Sequence, residues 1–431
     1  MLAKLLKIET GERTAFIWSF AYFFCLLCGY YILRPVRSEM GIQSGVTNLP
    51  ALMTVTFVTM LAVTPLFGWV AARFPRARML PAVYGFFILN LIAFYFAFES
   101  GFDPKFIARA FFVWLSVFNL FVVSVFWSFM TDLFEEGQAK RLFPVIAAGG
   151  SLGAIVGSGL IQLLVKPLGM AGLMLMAAGF LGLAMVCIRR LARWSGERAL
   201  KTAAARGDAI GGNILAGIRL AFSSPYLIAL CVYIFLLTWT SVVLYLENAR
   251  IVAATFTVAA ERTTFFARVE MIVSVLTLVC QLLLTNRLIE RMGLAVGLLF
   301  LPAISVIGFL ALGTAPVLLV LVIFDVARRV GEYAISKPAR EVLFTVLDRE
   351  SKYKAKNFID TAVTRGGEAA SGWISDGIKA LGATGGQVAF VAAPIAALWG
   401  VLGWWLAREQ ARRAGTLAAS MPAPAVAVKA T

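Results

Sequence analysis

Arginines and carboxylates occur inside the long apolar segments of this sequence, where a charged side chain in hydrocarbon costs several kcal/mol. The basic members are Arg34, Arg37, Arg109, Arg268, Arg328, Arg329 and Arg365. The acidic members are Asp132, Glu270, Asp325, Glu332 and Glu368. Because such charges are tolerated where they face a partner or a water-filled path, this set predicts a polar pathway through a membrane.

Several arginines around one cavity suit an anionic solute, because a planar guanidinium group donates two parallel hydrogen bonds to a carboxylate or a phosphate. Acidic side chains in the same set are expected to orient the solute or to gate its path. The residues predicted to contact substrate are Arg34, Arg37, Asp132, Glu270, Arg328, Tyr333 and Arg365. Internal pairing is the alternative for each arginine, since Arg328 is followed by Glu332 and Arg365 by Glu368 at helical spacing.

The sequence has no histidine, so a proton-coupled cycle would have to use buried carboxylates. Glu332 and Glu368 are the predicted coupling residues, and the alternative role for both is to balance neighbouring arginines. No cofactor is expected. The pair Cys25 and Cys28 lacks further ligands at metal-binding spacing and is expected to pack in the core.

An enzyme is not expected, because the sequence offers no nucleophile–base pair and no metal cluster. The glycine-rich segment "AAGGSLGAIVGSG" (147–159) lies inside an apolar run and lacks the Lys-Ser/Thr of a phosphate-binding loop.

The elements that must position these charges are apolar. Of 431 residues, 60% are hydrophobic and only 14% are charged, with a mean hydropathy of +0.85. A water-soluble domain of this length could not bury so much apolar surface, so the fold class is predicted to be an all-α polytopic membrane protein. About twelve runs can cross a bilayer, at 14–34, 49–71, 79–98, 106–131, 143–165, 169–190, 225–246, 265–286, 294–313, 315–337, 357–377 and 386–407.

Lysine and arginine are concentrated in alternate loops, which predicts that both termini are cytoplasmic and that the protein is a multi-pass component of a bacterial inner membrane. The net charge of +16 therefore reflects topology, and nucleic acid is not an expected partner. The expected partners are the lipid bilayer, a small anionic solute and, as a further candidate, protons. The predicted domains are an N-terminal six-helix bundle (1–190), a cytoplasmic central loop (191–224), a C-terminal six-helix bundle (225–408) and a disordered cytoplasmic tail (409–431).

Two internal similarities support a duplicated architecture. The segment "GWVAARFPRARM" (68–79) after the second run is similar to "NRLIERMGLAVG" (286–297) after the eighth, and "QAKRLFPVIAAGGSLG" (138–153) is similar to "KYKAKNFIDTAVTRGG" (352–367). Two sets of six helices around a long basic loop resemble the major facilitator superfamily. Its G-x-x-x-D-R-x-G-R-R signature resembles the turn after the second run, which implies a cytoplasmic latch formed by Gly68, Arg73, Arg76, Arg78, Glu290 and Arg291. Plain positive-inside charge is the alternative.

Four segments also resemble the nucleotide exchange transporters, the ATP/ADP translocase family of plastids and intracellular bacteria. They are "YYILRPVRSEMG" (30–41), "FWSFMTDLFEEGQAKRLFP" (126–144), "EYAISKPAREVLF" (332–344) and "KYKAKNFIDTAVTRGGEAASG" (352–372). The resemblance implies secondary active transport by alternating access, with basic residues contacting nucleotide phosphates. The chain diverges from the family, because Glu332 and Glu368 stand where its pattern has lysine and Lys337 where it has aspartate.

The function predicted from these patterns is therefore secondary active transport of an organic or phosphorylated anion, including nucleotide exchange of the ATP/ADP type. Two alternatives remain open: a proton-coupled carrier of another solute, and a membrane scaffold that does not transport.

Two local patterns predict backbone geometry. Pro35, between Arg34 and Arg37, is expected to interrupt the first helix and to leave both guanidinium groups facing a cavity. Gly149, Gly153 and Gly157, at a spacing of four residues, predict a face on the fifth helix that lets a neighbouring helix approach closely.

Overall fold

The computed structural model describes residues 12–73, 76–196, 224–283, 285–347, 355–356, 358–383 and 385–420. Within these ranges the chain is helical and contains no strand. The predicted fold class, an all-α polytopic membrane protein with twelve helices in two sets of six, is confirmed.

Within the described residues, twelve helices follow one another along the chain. They are α1 (Arg13–Gln43), α2 (Leu49–Arg73), α3 (Arg76–Glu99), α4 (Pro104–Leu133), α5 and α6 (together Glu136–Gly196), α7 (Pro225–Thr255), α8 (Ala259–Leu283), α9 (Thr285–Thr314), α10 (318–343), α11 (359–380) and α12 (Gly385–Ser420). Gly169 separates α5 from α6 because its φ of 65° and ψ of −178° leave the helical region, in a backbone conformation that glycine adopts readily.

Nine helical runs of the described residues are long and apolar enough to cross a membrane, and one of them, Arg141–Trp194, contains both α5 and α6. The helices outside this set are α10 and α11, which carry many of the intramembrane charges. Each also contains a π-helical segment, Glu332–Ser336 in α10 and Ile359–Val363 in α11. Such segments are often found at functional sites.

Pro35 does not interrupt the first helix as expected. It lies inside α1, which continues to Gln43. A proline removes one backbone hydrogen bond, and the tight packing of a transmembrane helix against its neighbours can offset that loss. Pro35 itself is buried, as are Leu33 and Val36 beside it.

The tail also differs from its prediction, because α12 continues to Ser420 and residues 409–420 are helical. Glu409 accepts hydrogen bonds from Arg412 and Arg413 at 2.7–2.9 Å, contacts at helical spacing that support the extra turns. Residues 421–431 lie outside the described residues. So does most of the predicted central loop, of which only the end of α6 and Ser224 are described.

The cores follow the two halves of the chain. One large core is built almost entirely from α1 and α3–α6, and two smaller cores are built from α7–α12. A fourth cluster joins the halves and consists of Leu49, Leu52, Phe112, Val242, Leu246 and Ala249.

The two ends of the molecule are named by the turns that lie there. The far end contains the turns at 44–48, 100–103 and 256–258, and the near end is the opposite one, where α1 begins.

The glycine face predicted on the fifth helix packs against α1, and the close approach is confirmed. A Cβ atom added to Gly149, Gly153 or Gly157 would collide with the main-chain carbonyl oxygen of Phe20, Phe24 or Cys28, respectively. Backbone atoms cannot move aside as the end of a flexible side chain can, so these positions accept glycine alone without a shift of one helix.

Replacing Gly153 by valine is therefore expected to lower the free energy of unfolding by about 1–3 kcal/mol through overpacking. Thermal unfolding of the purified protein in detergent measures the effect. Gly159→Val is the matched control, since a Cβ atom at Gly159 meets no atom within 4 Å. Equal melting temperatures for the two variants would contradict the packing of α5 on α1.

Candidate functional site

A cavity of about 500 Å³ lies between the two halves of the chain, a volume typical of small-molecule sites. Helices α1, α2 and α4 line it from one half, and α7, α8, α10 and α11 from the other. Its arginines are Arg34, Arg37, Arg328, Arg329, Arg340 and Arg365. Its carboxylates are Glu270, Asp325, Glu332, Asp360 and Glu368. The formal charges of the two sets nearly cancel, so the cavity as a whole is only weakly cationic.

Most of the residues predicted from the sequence meet at this cavity. The predicted substrate contacts that line it are Arg34, Arg37, Glu270, Arg328, Tyr333 and Arg365, and the predicted coupling residues Glu332 and Glu368 line it as well. Asp132 does not. It is exposed in the last turn of α4 at the near end, because the helix reaches the surface there and ends at Leu133.

The predicted latch lies at the near end, around the turn from α2 to α3 and in the first turns of α9. Arg73 is exposed at the end of α2. The side-chain surroundings of the other predicted members, Gly68, Arg76, Arg78, Glu290 and Arg291, lie outside the described residues. The latch therefore stays a prediction.

One ion-pair network joins the two halves at the level of the cavity. Glu270 on α8 accepts a hydrogen bond from Arg329 Nη2 on α10 at 2.6 Å and lies 3.2 Å from Arg34 Nη1 on α1. Arg329 Nη1 lies 3.6 Å from Asp325, one turn earlier on α10. Because Glu270 is only 7% exposed, these contacts are shielded from water and are stronger than surface pairs.

Arg328 is fixed by α7 and by its own helix. Its side chain is 3% exposed, and its Nη2 donates to Leu237 O at 3.1 Å and to Ser241 Oγ at 2.5 Å. Nη1 lies 3.6 Å from Glu332, the pair that the spacing of four residues indicated. Nε has no hydrogen-bond partner among the described residues. This arginine is held mainly by internal partners.

Arg365 is likewise paired, since its Nη1 donates to both carboxylate oxygens of Glu368 at 3.0 and 3.1 Å. Both side chains are about one-third exposed to the cavity. Tyr333 is placed by the π-helical segment of α10, and its main-chain oxygen accepts from Gln281 Nε2 of α8 at 3.3 Å. Glu332 and Glu368, the predicted coupling residues, thus each have an arginine partner.

Arg37 differs from these arginines because no described carboxylate pairs with it. Its Nε donates to Ser116 Oγ at 3.0 Å and to Phe112 O at 3.3 Å on α4. Its guanidinium group lies 3.8 Å from the centre of the Phe112 ring, a cation–π contact that orients the planar group. Both terminal nitrogens remain without a partner in the described part of the chain, and the residue lines the cavity.

Arg340 and Asp360 are cavity residues that sequence reasoning missed. The run predicted at 315–337 ends before Arg340, whereas α10 continues through the π-helical segment to Leu343, and Arg340 lines the cavity. Asp360 lies in the π-helical segment of α11. Neither forms an ion pair with a described residue. Their occurrence inside the segments 332–344 and 352–372 was the only available signal.

The far end is closed by a buried ion pair between α1 and α8 that the sequence did not reveal. Arg262 donates from Nε and Nη2 to the two carboxylate oxygens of Glu39, both at 2.6 Å, and Glu39 is fully buried. Trp373 Nε1 on α11 also donates to Thr54 Oγ1 on α2 at 2.8 Å. The apolar cluster that contains Leu49 and Phe112 also joins the two halves.

Within the described ranges, hydrogen bonds and ion pairs between the two halves lie at the level of the cavity or closer to the far end. Besides the contacts above, they are Gln162 Nε2 to Met271 Sδ at 3.4 Å and Thr263 Oγ1 to Met170 Sδ at 3.9 Å. These contacts close the cavity toward the far end. No cluster of three His, Cys, Asp or Glu side chains in the described residues is arranged to hold a metal ion.

Solved structures share this fold. A bacterial homologue of the iron transporter ferroportin in an inward-facing state aligns with a TM-score of 0.65 and 12% identity, covering 93% of this chain and 99% of that chain. The nucleoside transporter NupG aligns with a TM-score of 0.59 and 13% identity, covering 94% and 100%. A POT family transporter in complex with a thioalcohol-conjugated peptide aligns with a TM-score of 0.60 and 12% identity, covering 93% and 96%.

No protein-family model matches the chain, and no curated protein matches it significantly in sequence. At 12–13% identity these likenesses concern the fold alone. They show that the chain shares the all-α, multi-pass fold of these solved structures.

Proposed function

We propose that this protein is a secondary active transporter that carries a small organic or phosphorylated anion across a bacterial inner membrane by alternating access. The observation that carries the proposal is Arg37. It presents two unpartnered terminal nitrogens to a cavity between two six-helix halves, and Ser116 and the Phe112 ring hold it in place. A carboxylate or phosphate oxygen is the natural acceptor for such a group.

The positions of the contacts between the two halves support alternating access. Glu39 with Arg262 and Trp373 with Thr54 close the far end of the cavity. A rocking motion of one half against the other would break these contacts and expose the cavity to the other side. The excess of basic residues at the near end supports a cytoplasmic orientation of that end and of both termini.

The solute is expected to carry few charges. Ion pairs with neighbouring carboxylates already engage Arg34, Arg328, Arg329 and Arg365. That leaves Arg37 and Arg340 as the arginines of the cavity without such a partner in the described chain. Electrostatic complementarity between a site and its ligand therefore favours an anion with one or two negative charges.

Nucleotide exchange of the ATP/ADP type is the more specific form of the proposal, supported by the four segments that resemble that family. In this form Arg37 and Arg340 contact the phosphates. Glu332, which stands where the family pattern has lysine, lies 3.6 Å from Arg328, and this exchange of charge disfavours the more highly charged nucleotides.

Counterflow into proteoliposomes tests both levels of the proposal. One set of vesicles is loaded with ADP and given labelled ATP outside. The other sets are loaded with a sugar phosphate or a dicarboxylate, and each is given the labelled form of its own internal solute outside. We expect saturable uptake that depends on the internal load for at least one class. Uptake of a singly or doubly charged anion without uptake of ATP would contradict nucleotide exchange and would support the wider proposal of anion transport. No uptake above that of empty vesicles with any class would contradict both.

Proton-coupled transport of another solute is the second candidate, because Glu332 and Glu368 both line the cavity. In that case uptake follows an imposed pH gradient and fails in Glu332→Gln or Glu368→Gln.

A membrane scaffold that does not transport is the third candidate function. It would keep its cellular role when Arg34 and Arg365 are both replaced by alanine.

A further inference from the structure

We propose that Glu270 occupies, in the empty carrier, the position that an acidic group of the solute takes during transport, between Arg34 and Arg329. The inference rests on the proposed function, since it requires a transported anion. It identifies a binding subsite for one compact acidic group, a carboxylate or a phosphate monoester. It also gives a reason why the empty carrier would not reorient.

The geometry of Glu270 is that of a shared anion. A single carboxylate oxygen, Oε2, lies 2.6 Å from Arg329 Nη2 and 3.2 Å from Arg34 Nη1. The two arginines belong to different halves of the molecule, Arg34 to α1 and Arg329 to α10. All three residues line the cavity, and Arg34 is the most accessible of them, with a side chain 24% exposed. A solute in the cavity can therefore approach the same two donors.

The local charge explains why an acidic group is required. Arg34 and Arg329 are balanced by Glu270 and by Asp325, which lies 3.6 Å from Arg329. When the Glu270 carboxylate leaves its partners, the two positively charged guanidinium groups lose part of the negative charge that neutralises them. This loss costs free energy because the site is weakly solvated. A carboxylate or phosphate of the solute returns a negative charge to the two guanidinium groups when it takes the place of Glu270, whose displaced carboxylate is then solvated in the cavity. An uncharged solute cannot do so.

The same exchange would free α8 from α1 beside the cavity. Helices α1 and α8 are joined by two ion pairs, Arg34 with Glu270 beside the cavity and Glu39 with Arg262 at the far end. While both pairs are formed, the empty carrier stays closed at the far end. A solute that displaces Glu270 from Arg34 removes one of the two direct links between α1 and α8 and itself bridges α1 and α10. Movement of the halves around the site therefore depends on a bound anion. The expected behaviour is obligatory exchange.

Glu270→Gln tests this role, because it removes the charge and keeps the size of the side chain. Glu368→Gln is the matched control: it removes one charge from the same cavity, but its partner Arg365 lies on the same helix, α11. Pairs of spin labels report the movement of the full-length protein. One pair, Thr131→Cys with Thr345→Cys, spans the near end, and the other, Ser100→Cys with Val258→Cys, spans the far end. The half-buried Cys231 and Cys280 are replaced by alanine.

In the empty wild-type protein we expect one population with a closed far end. Glu270→Gln should shift part of it to a longer far-end distance and a shorter near-end distance, and Glu368→Gln should not. In vesicles loaded with an anion that the wild type exchanges, Glu270→Gln should release it into solute-free buffer at least about fivefold faster than the wild type, the lower end of typical coupling between sites.

Unchanged label distances and unchanged net release in Glu270→Gln, in a wild type that does exchange an anion, would overturn the inference and leave the proposed function intact. A wild type that exchanges no anion would instead contradict the proposed function itself. If Glu270→Gln does not fold, Arg34→Gln cuts the same link from α1. It should produce the same shift in label distances together with weaker anion binding, and the absence of that shift would also overturn the inference.

Discussion

Replacement of Arg37 by glutamine is expected to weaken binding of the transported anion by about 10- to 100-fold, because hydrogen bonds to a charged group contribute about 1.5–3 kcal/mol. The loss follows from the two terminal nitrogens of Arg37, which have no partner among the described residues, and glutamine supplies neither their charge nor their fork. Titration calorimetry and the concentration dependence of uptake in proteoliposomes both measure the effect.

Two further variants separate charge from geometry. Arg37→Lys keeps the charge without the planar fork and should bind with intermediate affinity. Arg365→Gln removes a guanidinium group that Glu368 already engages at 3.0 Å, so its effect on affinity should be smaller than that of Arg37→Gln. The opposite order would show that the solute displaces Glu368 and that the role of Arg37 is structural, holding α1 against α4.

Replacement of Glu39 by arginine is expected to abolish transport by preventing closure of the far end. The substitution places a second arginine against Arg262, at a position where the buried pair of Glu39 and Arg262 now has two contacts of 2.6 Å. Breaking such a pair costs about 3–5 kcal/mol. The exchanged pair, Glu39→Arg with Arg262→Glu, should recover part of the activity. Recovery remains partial because Arg262 also donates to Phe256 O at 2.9 Å, which a glutamate cannot do.

A second buried carboxylate serves as the control for this experiment. Glu247 is 1% exposed and pairs with Arg250 at 2.7 Å, but both residues lie on α7. Glu247→Gln should therefore leave the far-end label distance unchanged, whereas Glu39→Gln should lengthen it. Equal effects of the two neutral variants would indicate general destabilisation of the protein and would contradict a closing role for Glu39.

The sequence predicted those parts of the site that depend on local spacing. The apolar runs located the helices, and helical spacing anticipated the pairs Arg328 with Glu332 and Arg365 with Glu368. The regular glycines of the fifth helix anticipated its packing on α1. Each of these features is a relation between residues three or four positions apart, which helical geometry converts directly into contact.

The contacts between helices could not be predicted in the same way. Glu39 and Arg262 are 223 residues apart in the chain, and many arginines were equally available as partners for Glu39. Glu270 was expected near substrate, but its position between Arg34 and Arg329 depends on how two halves of the molecule meet. Asp132 was expected at the site as one of the intramembrane charges, but it lies at the surface because α4 ends at Leu133.

The π-helical segment Glu332–Ser336 has a further consequence for how such a cavity can change over evolutionary time. Each residue added to a helix turns everything beyond it by about 100° around the axis. A π-helical turn contains one residue more than an α-helical turn. This extra residue therefore decides which side chains of the following segment Lys337–Leu343 point inward. An insertion or deletion of a single codon there would exchange Arg340 for a neighbour at the cavity wall. The apolar residues of α10 that precede the segment would keep their places.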